Sequence, residues 1–219
     1  LYSPLSFRHF SFGMIAMFLY VGLEVGIQVI AYLYMTAGRS LTDGSVGMGM
    51  EKSIAGTIVG MYWFCMLLGR FFGGLIAKKF SSKSMLITVT IIGSILVLLS
   101  MFVPIVWVKF PVIDSTLSFR FHYVPLNVVF LVSCGLCTSV MWSSIFNLVL
   151  SGLGKFTGMA SGFLMLTVSG GGVLPALQGF VADKVGYMAS YWVIFAAFLY
   201  IMTYAFVGYK NVNKNIPIE

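Results

Sequence analysis

The stretch from Phe10 to Met35, FSFGMIAMFLYVGLEVGIQVIAYLYM, runs for 26 residues with a single charged side chain, Glu24. An α-helix of about 20 apolar residues crosses the hydrocarbon core of a bilayer, so this stretch predicts a transmembrane helix over residues 10–35. Five further runs of the same kind follow, at about 53–77, 84–108, 123–150, 158–181 and 187–208. A membrane β-barrel would show segments of ~10 residues alternating in polarity, and the chain has none of that pattern. The sequence therefore predicts an all-α integral membrane protein of six spans, occupying residues 1–219 as one transmembrane domain.

Composition leads to the same conclusion. Hydrophobic residues make up 59% of the 219 and charged residues 9%, whereas soluble domains carry roughly 25% charged residues. A soluble core of this length could not bury so much apolar surface. The 24 glycines suit close helix contacts in lipid. A net charge of +7 could point to nucleic acid, but the Lys and Arg residues are dispersed, and no basic block faces a row of phosphates. Cys65, Cys134 and Cys137 all lie in apolar runs; the CxxC spacing of the last two has neither a βαβ setting nor a second pair, so no metal and no cofactor is expected. No secretory signal peptide is expected, because the first run is longer than such a segment allows. The chain begins at Leu1 rather than Met and reads as a fragment or processed product.

The connections are polar and turn-rich. Residues 36–52 carry Gly38, Arg39, Asp43, Gly44, Glu51 and Lys52, and residues 109–122 carry Lys109, Pro111, Asp114, Arg120 and His122. On the side of the N-terminus, seven basic residues (Arg8, Lys78, Lys79, Lys83, Lys155, Lys210, Lys214) face one acid, Glu219. On the other side five (Arg39, Lys52, Lys109, Arg120, Lys184) face four acids, Asp43, Glu51, Asp114 and Asp183. Positive charge collects on cytoplasmic loops, so both termini are expected in the cytoplasm. Gly74-Leu-Ile-Ala-Lys-Lys79 closes the second helix and Gly179-Phe-Val-Ala-Asp-Lys184 the fifth, on opposite membrane faces. That is the pattern of two inverted three-helix repeats.

Several residues are too polar for lipid without a reason. Glu24 lies mid-span, where a carboxylate costs about 2.5 kcal/mol or more unless it finds a partner or water. Tyr20, Glu24, Gln28 and Tyr32 recur every four residues and so share one stripe of helix 1. Such a stripe offers the hydrogen bonds and aromatic faces that a polyhydroxylated solute needs in exchange for water; the alternative is a carboxylate clamping a neighbouring helix. Tyr62 and Trp63 on helix 2, and Trp142 with Ser139, Ser143, Ser144 and Asn147 on helix 4, pose the same choice between lining a solute cavity and packing helices. Arg70 is either a snorkelling side chain or a cytoplasmic charge latch. Gly170, Gly171 and Gly172, followed by Pro175, interrupt helix 5 and serve either a flexing element or close packing. His9 and His122 fall at membrane edges, away from any ligand cluster.

Taken in order, these segments resemble the fucose–proton symporter family of the major facilitator superfamily. Tyr20-Val-Gly-Leu-Glu24-Val-Gly-Ile27 resembles the first helix of that family's C-terminal half. Gly69-Arg-Phe-Phe-Gly73 with Lys78-Lys-Phe80 resembles its loop motif between helices 8 and 9, and Gly152-Leu-Gly-Lys-Phe-Thr157 its loop between helices 10 and 11. Gly170-Gly-Gly-Val-Leu-Pro175 and Gln178-Gly-Phe-Val-Ala-Asp183 resemble its helix 11. The resemblance covers about residues 12–205. It implies the C-terminal half of a major-facilitator fold, with an N-terminal six-helix half as partner, and a hexose, deoxyhexose or amino sugar carried with a cation, usually a proton. One departure is Ser143-Ser144 after Trp142, where the family often has a proline; it leaves the sugar open.

The expectation is a sugar–cation symporter of a bacterial cytoplasmic membrane, working by alternating access. Its candidate wall is Tyr20, Glu24, Gln28, Tyr62, Trp63, Trp142 and Ser143, with Glu24 the coupling candidate. Arg70, Gly170, Gly171, Gly172, Pro175 and Asp183 are the candidates for gating. The rivals are an uncoupled or sodium-coupled carrier of the same fold and a non-transporting scaffold or sensor. A membrane-embedded enzyme is disfavoured, because Glu24 is the one carboxylate at membrane depth and no histidine accompanies it.

Overall fold

The computed structural model describes residues 3–38, 47–113 and 118–213. Arg39, Asp43, Gly44, Asp114, Lys214 and Glu219, used above for the loops and the charge balance, lie outside the described residues. Six helical spans are long and apolar enough to cross a membrane. Four are single helices: α1 (Arg8–Thr36), α2 (Lys52–Ile76), α3 (Ser82–Phe102) and α4 (Leu126–Leu150). The fifth, Gly154–Val185, joins α5 (Thr157–Leu166) to α6 (Gly170–Val185) through a 3₁₀ turn at Thr167–Ser169. The sixth is α7 (Tyr191–Thr203), which ends in a π-turn at Tyr204–Gly208.

Local chemistry sets several of these boundaries. Ser81 caps α3, its Oγ accepting from the Ser84 amide at 3.2 Å, one of the helix's four otherwise orphan donors. Gly186 ends α6 at φ +93, a conformation that costs glycine little. The apolar run expected to be helical to residue 108 stops being helix at Phe102. Val103 precedes Pro104 and is extended (φ −71, ψ 132), because proline bars the α-conformation to the residue before it. The chain then forms a hairpin, β1 (Trp107–Ile113) paired antiparallel with β2 (Phe119–Pro125) in register from Trp107↔Pro125 to Ile113↔Phe119. The fourth helix accordingly starts at Leu126 rather than 123, since Val124 stands before Pro125.

Two helices carry the bundle. α4 packs on α1, α2 and α3, and α1 packs on α4, α6 and α7. The partners follow an exchange of the two triplets: α2 lies on α4 as α6 lies on α1, and α3 lies on α4 as α7 lies on α1. Close approach rests on glycines. A Cβ on Gly69 would collide with Ser139, one on Gly73 with Val140, and one on Gly135 with the Tyr62 carbonyl, so α2 and α4 meet nearly backbone to backbone. Gly22 and Gly170 do the same between α1 and α6. The core runs along α1 and α4, and a smaller apolar cluster beneath the hairpin joins Ala55, Ile58 and Met61 to Val112, Val124 and Val128.

Candidate functional site

The site is built where α1, α2 and α4 converge. On α1, Tyr20 is fully buried and its ring meets Trp142 of α4 edge-on, with centroids 6.1 Å apart. Its hydroxyl is buried without a hydrogen-bond partner. Glu24 and Arg70 are its charged neighbours. An orphan phenol beside a carboxylate and a guanidinium is an uncommon arrangement at membrane depth, where polar groups are costly unless paired or wetted.

Arg70 also opens onto a cavity of about 460 Å³ between α2, α4 and the start of α3. Trp142, Ser143, Ser139 and Asn147 share its lining. The sequence offered Arg70 as a latch or a snorkelling residue; the fold places it in the same cluster as Tyr20, Glu24 and Trp142. Nothing in the spacing along one chain could show this, because Glu24 and Arg70 stand on different helices. Trp63 lies two turns before Arg70 on α2, and its side chain is 51% exposed.

Other candidates take supporting places. Tyr62 is buried, and its hydroxyl pairs with the Thr138 hydroxyl at 2.8 Å, which ties α2 to α4. Gln28 is 9% exposed and its amide donates to the Glu24 backbone carbonyl at 3.2 Å. Both side chains are buried, as Tyr20 is. Ser143 is exposed and donates to the Val140 carbonyl at 3.1 Å. Asn147 reaches the Ser82 hydroxyl at 3.5 Å, across the cavity mouth.

The gating candidates divide. The helical interruption lies at Thr167–Ser169, just before the glycines, and α6 runs on through Pro175. Pro175 has no N–H to give to the carbonyl four residues back. Gly170 packs against the Phe18 backbone and Gly171 against Val21 and Val25, while Gly172 has open space. Asp183 is exposed near the end of α6. The described residues hold no group of three or more His, Cys, Asp or Glu able to bind a metal.

Six spans built around two central helices define one half of a major-facilitator fold. A solved outward-facing major-facilitator transporter, FucP, superposes with TM-score 0.73 over 92% of this chain and 42% of its own, at 22% sequence identity. In sequence, the chain is 27% identical over 209 residues to the glucose/galactose transporter of Brucella abortus, covering 95% of this chain and 44% of that protein. It is 27% identical over 214 residues to a putative glucose/galactose transporter of Helicobacter pylori, with 95% and 46% covered. It is also 27% identical over 179 residues to the L-fucose-proton symporter of Escherichia coli, with 82% and 35% covered. The chain thus spans about half the length of the relatives it matches. No family model matches. The resemblance read from the ordered motifs is upheld by these relatives, which are named as transporters and not as enzymes.

Proposed function

We propose that this chain is the C-terminal six-helix half of a secondary transporter that moves a monosaccharide with a proton by alternating access. The observation that carries the proposal is the cluster of Tyr20, Glu24, Arg70 and Trp142, drawn from three helices, of which Arg70 and Trp142 also line the neighbouring cavity. Sugar hydroxyls bond to Glu24 and Arg70, with the buried Tyr20 phenol behind them, and a ring C–H face packs on Trp142. Trp63 and Ser143 extend the wall, with Gln28 and Tyr62 holding α1 and α2 in place. The names of the relatives, glucose/galactose transporters and an L-fucose-proton symporter, support a sugar.

Glu24 is the coupling group in this reading. Protonation removes its charge and weakens its attraction to Arg70, which changes the balance between the open and closed states of the wall. Arg70 is then both ligand and latch. The break before Gly170 and the missing Pro175 bond let α5 and α6 flex as the halves rock. An N-terminal six-helix half supplies the opposite wall, and the protein sits in a bacterial cytoplasmic membrane with the termini of this segment inside.

Proteoliposomes of the full-length protein, given a panel of radiolabelled hexoses, fucose and amino sugars, test the proposal. Accumulation of one sugar driven by a pH gradient, lost in Glu24→Gln, is the expected result. Equilibration without accumulation would instead make the protein a facilitator, a sodium requirement would move the coupling ion, and absence of flux in folded protein would reject sugar transport.

A further inference from the structure

The end of the bundle where α1 starts and α7 finishes is closed by contacts that the site above does not use. Helix α1 begins at Arg8, and the residue before it is Phe7, whose side chain caps nothing. The first four N–H groups of a helix have no partner within it, and a Ser, Thr, Asp or Asn just before the helix normally satisfies one of them. Here the acceptor comes from the far end of the chain. The Arg8 amide donates to the Asn213 side-chain oxygen at 3.0 Å. Asn213 is presented by a short turn of its own, in which its amide donates to Asn211 Oδ1 at 3.0 Å, a local bond that asparagine favours.

The same segment grips two further elements. Asn211 Nδ2 donates to the Gly152 carbonyl at 3.5 Å, in the turn after α4. Gly152 stands at φ +76, and a Cβ there would lie 3.3 Å from that Nδ2, so the Asn211 side chain is seated directly on the glycine. Tyr209 packs against the core, and the Lys83 ammonium in the first turn of α3 lies 4.9 Å above its ring. Residues 209–213 thus join the starts of α1 and α3 to the turn between α4 and α5. What they hold down is a weak place. His9 is fully buried, and its ring nitrogens approach the Val149 and Ser151 backbone but close no hydrogen bond. A buried polar group left without a partner disfavours the closed arrangement. The first turn of α1 therefore lacks a cap of its own and carries a side chain that gains by opening to water.

We infer that residues 209–213 form a strap that caps α1 through Asn213, keeps its first turn folded over His9, and holds the ends of α1, α3 and α4 in one register. Asn213 is the capping group and Asn211 the residue that positions it. Helix α1 carries Tyr20 and Glu24, and α4 carries Trp142, so the strap fixes the relative setting of two helices that build the site. It acts in this way whatever the solute, and its test requires none.

Amide hydrogen–deuterium exchange, read by mass spectrometry on the purified full-length protein, tests the strap with Asn213→Ala and Asn213→Asp. Loss of a cap frays the start of a helix, so Asn213→Ala should speed exchange in peptides covering residues 8–12 about 3- to 30-fold. Peptides from the middle of α2 should keep the parent rate. An aspartate accepts the same bond, and its charge suits a helix N-terminus, so Asn213→Asp should stay at the parent rate throughout. Parent-like exchange at residues 8–12 in Asn213→Ala would overturn the inference. Equal acceleration in the two variants would overturn it as well, because the bond to Arg8 would then not be what holds the turn. Acceleration across all six spans would replace a local strap with general destabilisation.

Discussion

Glu24 is the residue whose cost must be returned by function or by a partner, and the fold gives it a neighbourhood with both signs of interest: the Tyr20 phenol and the Arg70 guanidinium. Charge-assisted hydrogen bonds are worth about 1.5–3 kcal/mol, so Glu24→Gln is expected to weaken equilibrium sugar binding roughly 10- to 100-fold by that measure. Isothermal titration of the purified full-length protein checks it; unchanged affinity would confine Glu24 to coupling or structure. Tyr62 makes the contrasting case. Its hydroxyl is already paired with Thr138, and hydrogen bonds between membrane helices average about 0.6 kcal/mol. Tyr62→Phe should therefore shift the denaturation midpoint only slightly and leave transport near the parent level. A transport loss comparable to that of Trp142→Ala would put the Tyr62 hydroxyl on the substrate wall after all. The sequence named Glu24, Tyr20 and Trp142 because their polarity or position is unexpected in lipid. It could not separate Tyr62 from Tyr20, since both rings are buried and only the fold shows which hydroxyl is paired across helices.

At the scale of elements, helix pairs are set by small residues, and this separates the glycines that look alike in the sequence. Gly170 faces the Phe18 backbone, while Gly172 faces open space. Overpacking a tight contact typically costs 1–3 kcal/mol, on the order of what one such site can bear. Gly170→Val should consequently lower the resistance of the protein to SDS-induced unfolding, followed by circular dichroism, and Gly172→Ala should leave it almost unchanged. Equal sensitivity at the two positions would contradict the packing between α1 and α6. The interruption of the fifth span was legible from Pro175 and the glycine run, but its place was not. The missing proline bond falls at the Gly171 carbonyl, inside α6, whereas the 3₁₀ turn lies further upstream at Thr167–Ser169. The hairpin escaped the sequence reading altogether, because Val103–Val108 continues the apolar run of α3 and composition alone cannot tell a buried strand from a helix end. The Val-Pro steps at 103–104 and 124–125 were the available signal.

For the whole molecule, the open wall and the apolar side of α2, where Leu67 and Phe71 are 63% and 65% exposed, fit a chain that works as one half of a larger carrier. Native protein should have an intact mass about twice the 24.0 kDa of this segment; a native mass near 24 kDa would require a pair of chains to complete the cavity. Orientation is testable in sealed cells: a cysteine at Lys79→Cys should react with a membrane-impermeant maleimide only after lysis, whereas labelling in intact cells would invert the proposed topology.

The sequence by itself determined the solvent, the number of spans and the resemblance that predicts half of a transporter. Those follow from hydrophobic run length and motif order, which are local properties of the chain. Only the tertiary structure decided that Arg70 of α2 joins Tyr20 and Glu24 of α1 beside Trp142 of α4, that the Tyr62 hydroxyl pairs with Thr138 of α4, and that a hairpin lies against α2. Each of these is a meeting of side chains far apart in sequence, fixed by which glycines let two helices approach and by how far each helix is turned about its axis.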